Sequence, residues 1–289
     1  MKKEQKPAFD PKPTKYPFPE DTDRHYITVK KDNHKVFDRN YPYVDRSIFF
    51  MLRHYAVRAM LFTIVFPMTR VRLGLKIEGR KNLKKHKDEL KNGAVTCSNH
   101  VHFWDYLAVM RAILPHDPYL LVWDRNVRGE SSALIRSVGG IPIPTDSPAA
   151  SAAFLKAVKG VLDEGKWLHI YPEGSMWEYY RPIRPFKTGA AYFARKENKP
   201  LLPLGFSYRK PGWIRRKIFK QTALFTLRIG EPLYADPSLP PTEQEKDLVA
   251  RSHAAVCRLA GIDPAENLYE PVYNNSKRID YYTTEYGVK

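Results

Sequence analysis

The sequence predicts an α/β fold in which a layered, mixed and largely parallel sheet is flanked by helices. Two observations predict it. From residue 75 onward, short apolar runs alternate with segments of helical periodicity. The chain has 289 residues, which is enough for one large domain of this kind. Strands are expected over residues 75–77, 94–98, 119–123, 167–171, 201–207 and 223–229.

Three helices are expected, two between these strands, over residues 147–164 and 188–196, and one after them, over residues 243–260. The first carries apolar residues at helical spacing, and Gly165 follows its end, as glycine often does after a helix. Thr242 and Glu245 have the spacing of a capping box ahead of the last helix, and Gly261 closes it. We therefore expect residues 75–262 to form one catalytic domain.

The two ends of the chain lack the alternation of strand and helix patterns that marks this domain. Residues 1–46 are basic and rich in proline, which predicts an irregular arm whose aromatic residues Phe9, Tyr16 and Phe18 could dock on the body. Residues 263–289 form a tyrosine-rich tail that could wrap the domain or touch lipid headgroups. The first ten residues have no apolar core of a signal peptide, so the bulk of the protein is expected in the cytoplasm.

Residues 47–74 are expected to form an amphipathic helical segment that associates with a membrane. A helix over residues 48–66 would be roughly 28 Å long, and Arg53, His54 and Arg58 would share an arc of about 140°. Two arginines near the middle argue against a simple transmembrane span, whereas a wide apolar face suits a helix in the bilayer interface. A core helix of the domain is the alternative. Pro67 is expected to end the helix.

The net charge of +17 indicates an anionic partner, for which nucleic acid, an anionic membrane surface and a phosphorylated substrate all qualify. Nucleic acid is disfavoured because the sequence has no helix-turn-helix, zinc or ribonucleoprotein signature and because that reading leaves the apolar helix unexplained. Cys97 and Cys257 are too far apart in sequence to indicate a disulfide framework or a metal site, so no metal is expected.

The first segment whose residues could carry out catalysis runs from Cys97 to Asp105. It follows an expected strand and precedes an apolar helical run, which places His100 in a turn at the carboxyl edge of the sheet. Asp105 could then hold one imidazole nitrogen and leave the other to accept a proton. A structural His–Asp pair would explain the same spacing, and His102 is a competing base.

The second segment runs from Tyr171 to Trp177 and ends another expected strand, so it should reach the same edge. Gly174 would permit close approach of a ligand. The cations Arg181, Arg184 and Lys187 follow, and a helix then begins near residue 188, which together could bind a phosphate. A solvated basic loop is the alternative.

These two segments together resemble the glycerolipid acyltransferases, whose best-known members are the 1-acylglycerol-3-phosphate acyltransferases. Asn99-His100 with Asp105, and Pro-Glu-Gly at 172–174 about 70 residues later, carry the resemblance, which covers about residues 75–235. Further matches are Phe-Lys-Thr-Gly-Ala at 186–190, Leu-Leu-Pro-Leu at 201–204, and Gly79 with Asn82-Leu83.

The resemblance implies transfer of an acyl group from acyl-CoA or acyl-carrier protein to the hydroxyl of a lysoglycerolipid, with 1-acylglycerol-3-phosphate as the first choice of acceptor. In this reading His100 is the general base and Asp105 orients it, while Glu173, Gly174 and Ser175 belong to the acceptor-binding motif. No cofactor is implied beyond the acyl donor. The expected location is the cytoplasmic face of the cell membrane, as a peripheral protein.

Two departures from the family's pattern leave the acceptor open. Thr145-Asp146 and Met176 stand where the family often has an arginine. The cations at 181, 184 and 187, or Arg125 or Arg128, could replace them. Otherwise the acceptor is another lysophospholipid or a lysoglycolipid, or the enzyme is a transacylase. A lipid-binding protein that has lost catalysis is disfavoured because His100 and Asp105 are both present.

Overall fold

The computed structural model describes residues 9–11, 25, 35–145 and 147–271. Within them a seven-stranded sheet has the strand order β1-β7-β6-β2-β5-β3-β4, and every neighbouring pair is parallel except β6 with β7. This confirms the predicted mixed, largely parallel α/β sheet. The strands are β1 Lys76–Glu78, β2 Val95–Cys97, β3 Pro118–Trp123, β4 Gly140–Ile143, β5 Trp167–Ile170, β6 Leu201–Arg209 and β7 Leu224–Ile229.

Strand β4 was not among the expected strands. Its four residues begin with Gly140 and include Pro142, and both residue types are uncommon in strand interiors. β4 lies at the edge of the sheet and pairs only with β3, where a proline costs no hydrogen bond to a second neighbour. Its existence therefore depends on its place in the sheet.

Helices pack on both faces of this sheet. After the N-terminal helix, they are α3 Arg80–Lys85, α4 Lys87–Leu90, α5 Asp105–Ala112, α6 Asp124–Arg128, α7 Ser132–Ser137, α8 Pro148–Asp163, α9 Gly189–Lys196, α10 Trp213–Lys217 and α11 Pro241–Ala260. The side chain of Ser147 caps α8, and Gly261 ends α11 with a positive φ, as its position predicted. The predicted capping box is wrong, because α11 begins at Pro241 and Glu245 instead pairs with Arg195 of α9.

The core consists of two hydrophobic clusters built from alternating residues of the same strands. Leu168 and Leu201 belong to one cluster, and their neighbours Trp167 and Leu202 belong to the other, as expected for the two faces of a sheet. Phe37, from the N-terminal arm, is fully buried in the first cluster, and Phe9 packs against the second. Docking of the arm is thus confirmed for Phe9, while Tyr16 and Phe18 lie outside the described residues.

The N-terminal helix runs from residue 48 to 72 without a break. It consists of α1 Ile48–Met60, a π-helical turn Leu61–Val65 and α2 Phe66–Arg72. Pro67 does not end it, contrary to the prediction. The π turn precedes the proline, and the wider turn relieves the clash that a proline ring makes with the preceding turn of an α-helix. By length and composition, this helix is long and apolar enough to cross a membrane.

Two polar side chains of this helix contact the body of the protein, and many of its large apolar side chains face outward. Arg58 and His54 both contact Asp117, and His54 Nδ1 lies 2.8 Å from the carbonyl oxygen of Ser137. Only 17% of its most apolar window is buried, so the alternative of a core helix is wrong. The exposed large side chains are Ile48, Phe49, Leu52, Tyr55, Met60, Phe62, Ile64, Met68 and Val71.

The beginning of the predicted tail lies against the domain. A 3₁₀ turn, Pro264–Glu266, is followed by Asn267, whose side-chain amide donates to the carbonyl of Ile183 at 2.8 Å. The Tyr269 hydroxyl lies 2.6 Å from that of Tyr180. Tail residues 272–289 lie outside the described residues.

Candidate active site

The two predicted segments meet at one edge of the sheet. β2 and β5 are parallel neighbours, with Cys97 opposite Ile170, so their carboxyl ends lie side by side. The turn 98–104 continues from β2, and the loop that begins at Tyr171 continues from β5. Two backbone hydrogen bonds join them, from Trp177 N to the His100 carbonyl at 3.2 Å and from Tyr179 N to the Val101 carbonyl at 2.9 Å.

Asp105 is the first residue of α5, and its buried carboxylate organises the turn before it. Oδ2 accepts from His100 Nδ1 at 2.7 Å, from Val101 N at 2.9 Å and from His102 N at 3.2 Å. Burial by itself raises the pKa of Asp105, but His100, Tyr171 and the Val101 amide bring it below its ordinary value. The carboxylate therefore stays ionised and holds the imidazole.

His100 presents its other nitrogen to the outside of this network. Because Nδ1 donates to the carboxylate, Nε2 carries the lone pair that can accept a proton. The side chain is 24% exposed, whereas that of Asp105 is 2% exposed. The pair has the geometry of an oriented general base, as the sequence predicted.

Tyr171 supports this pair from the other segment, which sequence reasoning missed. Its ring stacks on the imidazole of His100, with centroids 3.8 Å apart and planes 11° from parallel. Its hydroxyl donates to Asp105 Oδ1 at 2.6 Å. Burial and the nearby carboxylate raise the pKa of Tyr171, so the hydroxyl stays protonated and remains a donor. The position at the end of β5, ahead of Pro172, was the available signal.

Glu173 links the acidic turn directly to the base. Oε2 accepts from the backbone N–H of His100 at 3.1 Å, and Oε1 accepts from Arg184 N at 3.0 Å. The guanidinium of Arg184 also donates to Glu173 Oε2 at 3.0 Å and to Ser175 Oγ at 2.7 Å. Arg184 is 1% exposed and lies on the Trp177 ring. The substrate-binding role expected of Glu173, Ser175 and Arg184 stays a prediction, since these groups bind one another here.

Gly174 and Lys187 lie together beside this buried network. Gly174 has φ +78°, and a side chain there would come to 2.6 Å from Lys187 Nζ, so the cation lies over the glycine. The Gly174 N–H donates to the Tyr171 carbonyl at 3.1 Å. It is therefore already engaged and unsuited to bind an oxyanion. Arg181 is half-buried on the same loop.

The other residues of the first motif have structural contacts. The Asn99 side chain exchanges two hydrogen bonds with the Phe206 backbone, at 2.8 and 3.1 Å. His102 is 7% exposed, its Nδ1 accepts from Trp104 N at 3.0 Å, and burial lowers its pKa. Burial raises the pKa of the Cys97 thiol to about 12, which leaves it a poor nucleophile.

Near the end of β3, residues from three segments approach the site. Arg128 pairs with Asp124 at 3.1 Å and lies on the Phe37 ring, while Arg125 lies over Trp123. His25 of the N-terminal arm stacks on Trp123 with centroids 4.2 Å apart. Burial, then the charges of Lys187, Arg184, His100 and Arg125, lower the pKa of His25 to about 3. The arm thus reaches the cationic side of the site. Asp146, which the sequence analysis singled out, lies outside the described residues.

A family model described as Acyltransferase matches residues 74–207. A search of curated proteins returns no match. A crystal structure of the 1-acyl-sn-glycerophosphate acyltransferase PlsC from Thermotoga maritima aligns with a TM-score of 0.49 and 17% identity, covering 75% of this chain and 84% of that one.

Proposed function

We propose that this chain, an acyltransferase whose family domain spans residues 74–207, moves a fatty acyl group from acyl-CoA or acyl-carrier protein to the hydroxyl of a lysoglycerolipid. The observation that carries the proposal is the His100–Asp105 pair, with His100 also held through its backbone by Glu173. The most suitable acceptor is 1-acylglycerol-3-phosphate, which would give phosphatidic acid. The reaction needs no cofactor beyond the acyl donor.

The imidazole acts as general base. Nε2 of His100 takes the proton of the acceptor hydroxyl while the hydroxyl oxygen attacks the thioester carbonyl. The tetrahedral intermediate collapses, the carbon–sulfur bond breaks, and the imidazolium returns its proton to the thiolate. Asp105 stabilises the imidazolium without taking the proton. The acyl group passes directly from thioester to hydroxyl, and neither Cys97 nor Ser98, both fully buried, forms an acyl-enzyme.

The acceptor's charged group lies near Gly174 in this proposal. The ammonium of Lys187 lies over that glycine and supplies the cation that a phosphate would contact. Arg181 adds a second cation. Glu173, Ser175 and Arg184 act by fixing the turn and by holding the His100 backbone. Acceptors with a larger or a neutral head group, as in other lysophospholipids or lysoglycolipids, are the second candidate because the family's arginines are absent at Thr145-Asp146 and Met176.

The chemistry takes place at the cytoplasmic face of a membrane in this proposal. The helix 48–72 exposes nine large apolar side chains, which an anionic bilayer surface would cover. Arg111 of α5 donates to the Phe66 carbonyl and to Thr69 Oγ1, both at 2.9 Å. Because α5 begins with Asp105, this contact connects the exposed helix to the site.

A substrate panel tests the proposal. Purified protein on liposomes or in detergent is offered lysolipids with acyl-CoA or acyl-carrier protein, and products are read by mass spectrometry alongside free CoA. We expect phosphatidic acid from 1-acylglycerol-3-phosphate, with CoA released in equal amount. Product formed from a phospholipid donor without thioester would instead show a transacylase. A trapped acyl-enzyme would contradict direct transfer, and absence of any acylated product would contradict the function.

A further inference from the structure

The connection between β6 and β7, residues 210–223, carries an exposed apolar cluster. Trp213 is 65% exposed, Ile214 57%, Ile218 63% and Phe219 52%. We name these four residues the 213–219 patch. Large apolar side chains gathered on so short a segment are typical of a surface that another molecule or a membrane covers.

The same connection is strongly basic. It contains Lys210, Arg215, Arg216, Lys217 and Lys220, and it has no aspartate or glutamate. Arg216, Lys217 and Lys220 are exposed. Apolar and cationic groups therefore alternate on one exposed segment, which suits a partner that is apolar inside and anionic at its surface.

Inward-facing polar groups hold this connection against the end of the N-terminal helix. Gln221 Nε2 donates to the carbonyls of Val71 and Arg72, at 2.7 and 3.1 Å. Arg215 donates to the Val71 carbonyl and to Gln221 Oε1, both at 3.1 Å. A groove of about 600 Å³ lies between Val71 and the 213–219 patch. The patch is thus built onto the helix end.

The apolar surface of the helix continues into the patch. Met68 and Val71, in the last turns of the helix, are 47% and 58% exposed, and Val71 lines the same groove as Trp213. We infer that the 213–219 patch is a second contact with an anionic lipid bilayer, beside the helix. The patch would add to the membrane contact proposed above for the helix, and it therefore rests on the proposed function. It gives a role to a segment that takes no part in the proposed acyl transfer.

The physical chemistry of the segment fits the bilayer interface. Tryptophan is favoured at the headgroup level, and Ile214, Ile218 and Phe219 gain by burial among the upper acyl chains. Arg216, Lys217 and Lys220 would meet anionic headgroups. Nucleic acid accounts for the charge but not for two exposed isoleucines or for the adjoining apolar helix. A second contact would further restrict rotation of the domain about the helix axis.

Vesicle binding without substrate tests the inference. Full-length protein is sedimented with vesicles of phosphatidylcholine alone or with a third of phosphatidylglycerol. Trp213→Ser with Ile214→Ser is expected to weaken binding to both by about tenfold or more. The matched control is Val36→Ser, which removes a side chain 66% exposed, next to the buried Phe37. Thermal unfolding of each variant verifies that it folds.

A second pair of variants tests the charge. Arg216→Gln, Lys217→Gln and Lys220→Gln together are expected to weaken binding about tenfold or more, on the anionic vesicles only. The control variant combines Lys81→Gln, Lys84→Gln and Lys87→Gln. It removes the same charge from exposed positions on α3 and α4 and should weaken binding to anionic vesicles less. Brominated acyl chains should quench tryptophan fluorescence in the wild type and much less in Trp213→Phe.

The inference is overturned if the apolar variant binds vesicles like the wild type, if both charge variants lose binding equally, or if quenching persists in Trp213→Phe. Acyl transfer is assayed separately in detergent micelles. An inactive wild-type protein that still binds through the patch would overturn the proposed function and leave the patch in place. A wild-type protein that is active, together with patch variants that bind vesicles normally, would support the proposed function and overturn the patch.

Discussion

The turn around His100 and the helix 48–72 use polar and apolar groups in opposite ways. In the turn, charged groups are buried and bound to one another: Asp105 is 1% exposed, Arg184 1% and Glu173 3%. In the helix, Arg58 and His54 face the body through Asp117, and nine large apolar side chains are exposed. Buried charges require partners and exposed apolar groups require a cover. The charges of the turn are therefore paired within the chain, whereas the helix leaves its apolar side chains exposed.

The largest effect expected in the polar region is the loss of His100, the proposed base. His100→Ala should lower kcat by about 10²–10⁴, the usual contribution of a positioned general base, without loss of fold. His102→Ala is the matched control, because His102 is buried and its Nδ1 already accepts from the Trp104 amide. The kcat of this variant should stay within about tenfold of wild type. Steady-state kinetics with thermal unfolding measures both. The reverse ranking would assign the base to His102.

Breaking the buried ion pair should cost stability. Arg184→Ala leaves Glu173 buried without its guanidinium partner and should lower the free energy of unfolding by about 3–5 kcal/mol. Arg195→Ala removes a similar pair, with Glu245, whose side chains are 21% and 19% exposed, and should cost about 1 kcal/mol or less. Urea unfolding compares the two. Equal losses would show that Arg184 is no more integral to the fold than a surface arginine.

The apolar region should show the opposite response. Phe49→Ser with Leu52→Ser removes side chains 82% and 61% exposed, so vesicle affinity should fall by about 10²-fold while the unfolding temperature hardly changes. Phe50→Ser, between them in sequence but 8% exposed, should instead lower stability. Vesicle flotation and thermal unfolding separate the two outcomes. Unchanged vesicle binding in the double variant would mean that the bilayer does not cover this face.

A buried histidine beneath the turn makes the polar region sensitive to acid. His169 is fully buried, and burial lowers its pKa to about 3, so the folded state keeps it neutral while the unfolded chain takes up a proton below about pH 6.5. Stability therefore falls as the pH drops from about 6.5 toward 3, and this residue accounts for about 2 kcal/mol of the loss between pH 7 and 5.

His169→Gln should flatten that pH dependence, as measured by urea unfolding at several pH values. His86→Gln is the control of opposite sign, because Glu89 and Glu231 raise the pKa of His86 and its protonation stabilises the folded state. An unaltered slope in His169→Gln would show that other groups govern acid unfolding.

The smallest effect should come from the tyrosine that supports the pair. Tyr171→Phe keeps the ring on His100 but removes the hydroxyl bound to Asp105, so kcat should fall about three- to tenfold with KM unchanged, the equivalent of one hydrogen bond. Tyr208→Phe removes a buried hydroxyl bound to the Tyr180 carbonyl at 3.0 Å and should leave kcat as it is. If both variants lose the same activity, Tyr171 acts through general stability.

Much of the fold and of the site could be predicted because the signals were local. All six expected strands occur, since alternation of short apolar runs with helical spacing is a property of neighbouring residues. Both motifs follow strands, and parallel strands end at one edge, so the meeting of His100 with the 173–174 turn could be expected. Strand β4 was not predicted because its glycine and proline both disfavour a strand locally, whereas an edge strand of a sheet can accommodate them.

The partners of the site residues could not be predicted. Arg184 was expected among the phosphate-binding cations, yet its side chain lies inside the loop on Glu173 and Ser175. Spacing along a loop does not show whether a guanidinium points outward. Tyr171 could be placed at a strand end, but no local pattern shows that its ring stacks on His100 or that His25 stacks on Trp123. These two ring contacts join segments 71 or more positions apart in sequence.

By itself, the sequence determined the α/β class, the two motif turns and an apolar helix near the N-terminus, because periodicity and turn chemistry act between residues a few positions apart. Only the tertiary structure decided which way that helix faces, through Asp117, and which groups hold the imidazole, through Tyr171 and Glu173. Burial and pairing of a charge depend on what packs against it from distant segments. That is a property of the folded chain alone.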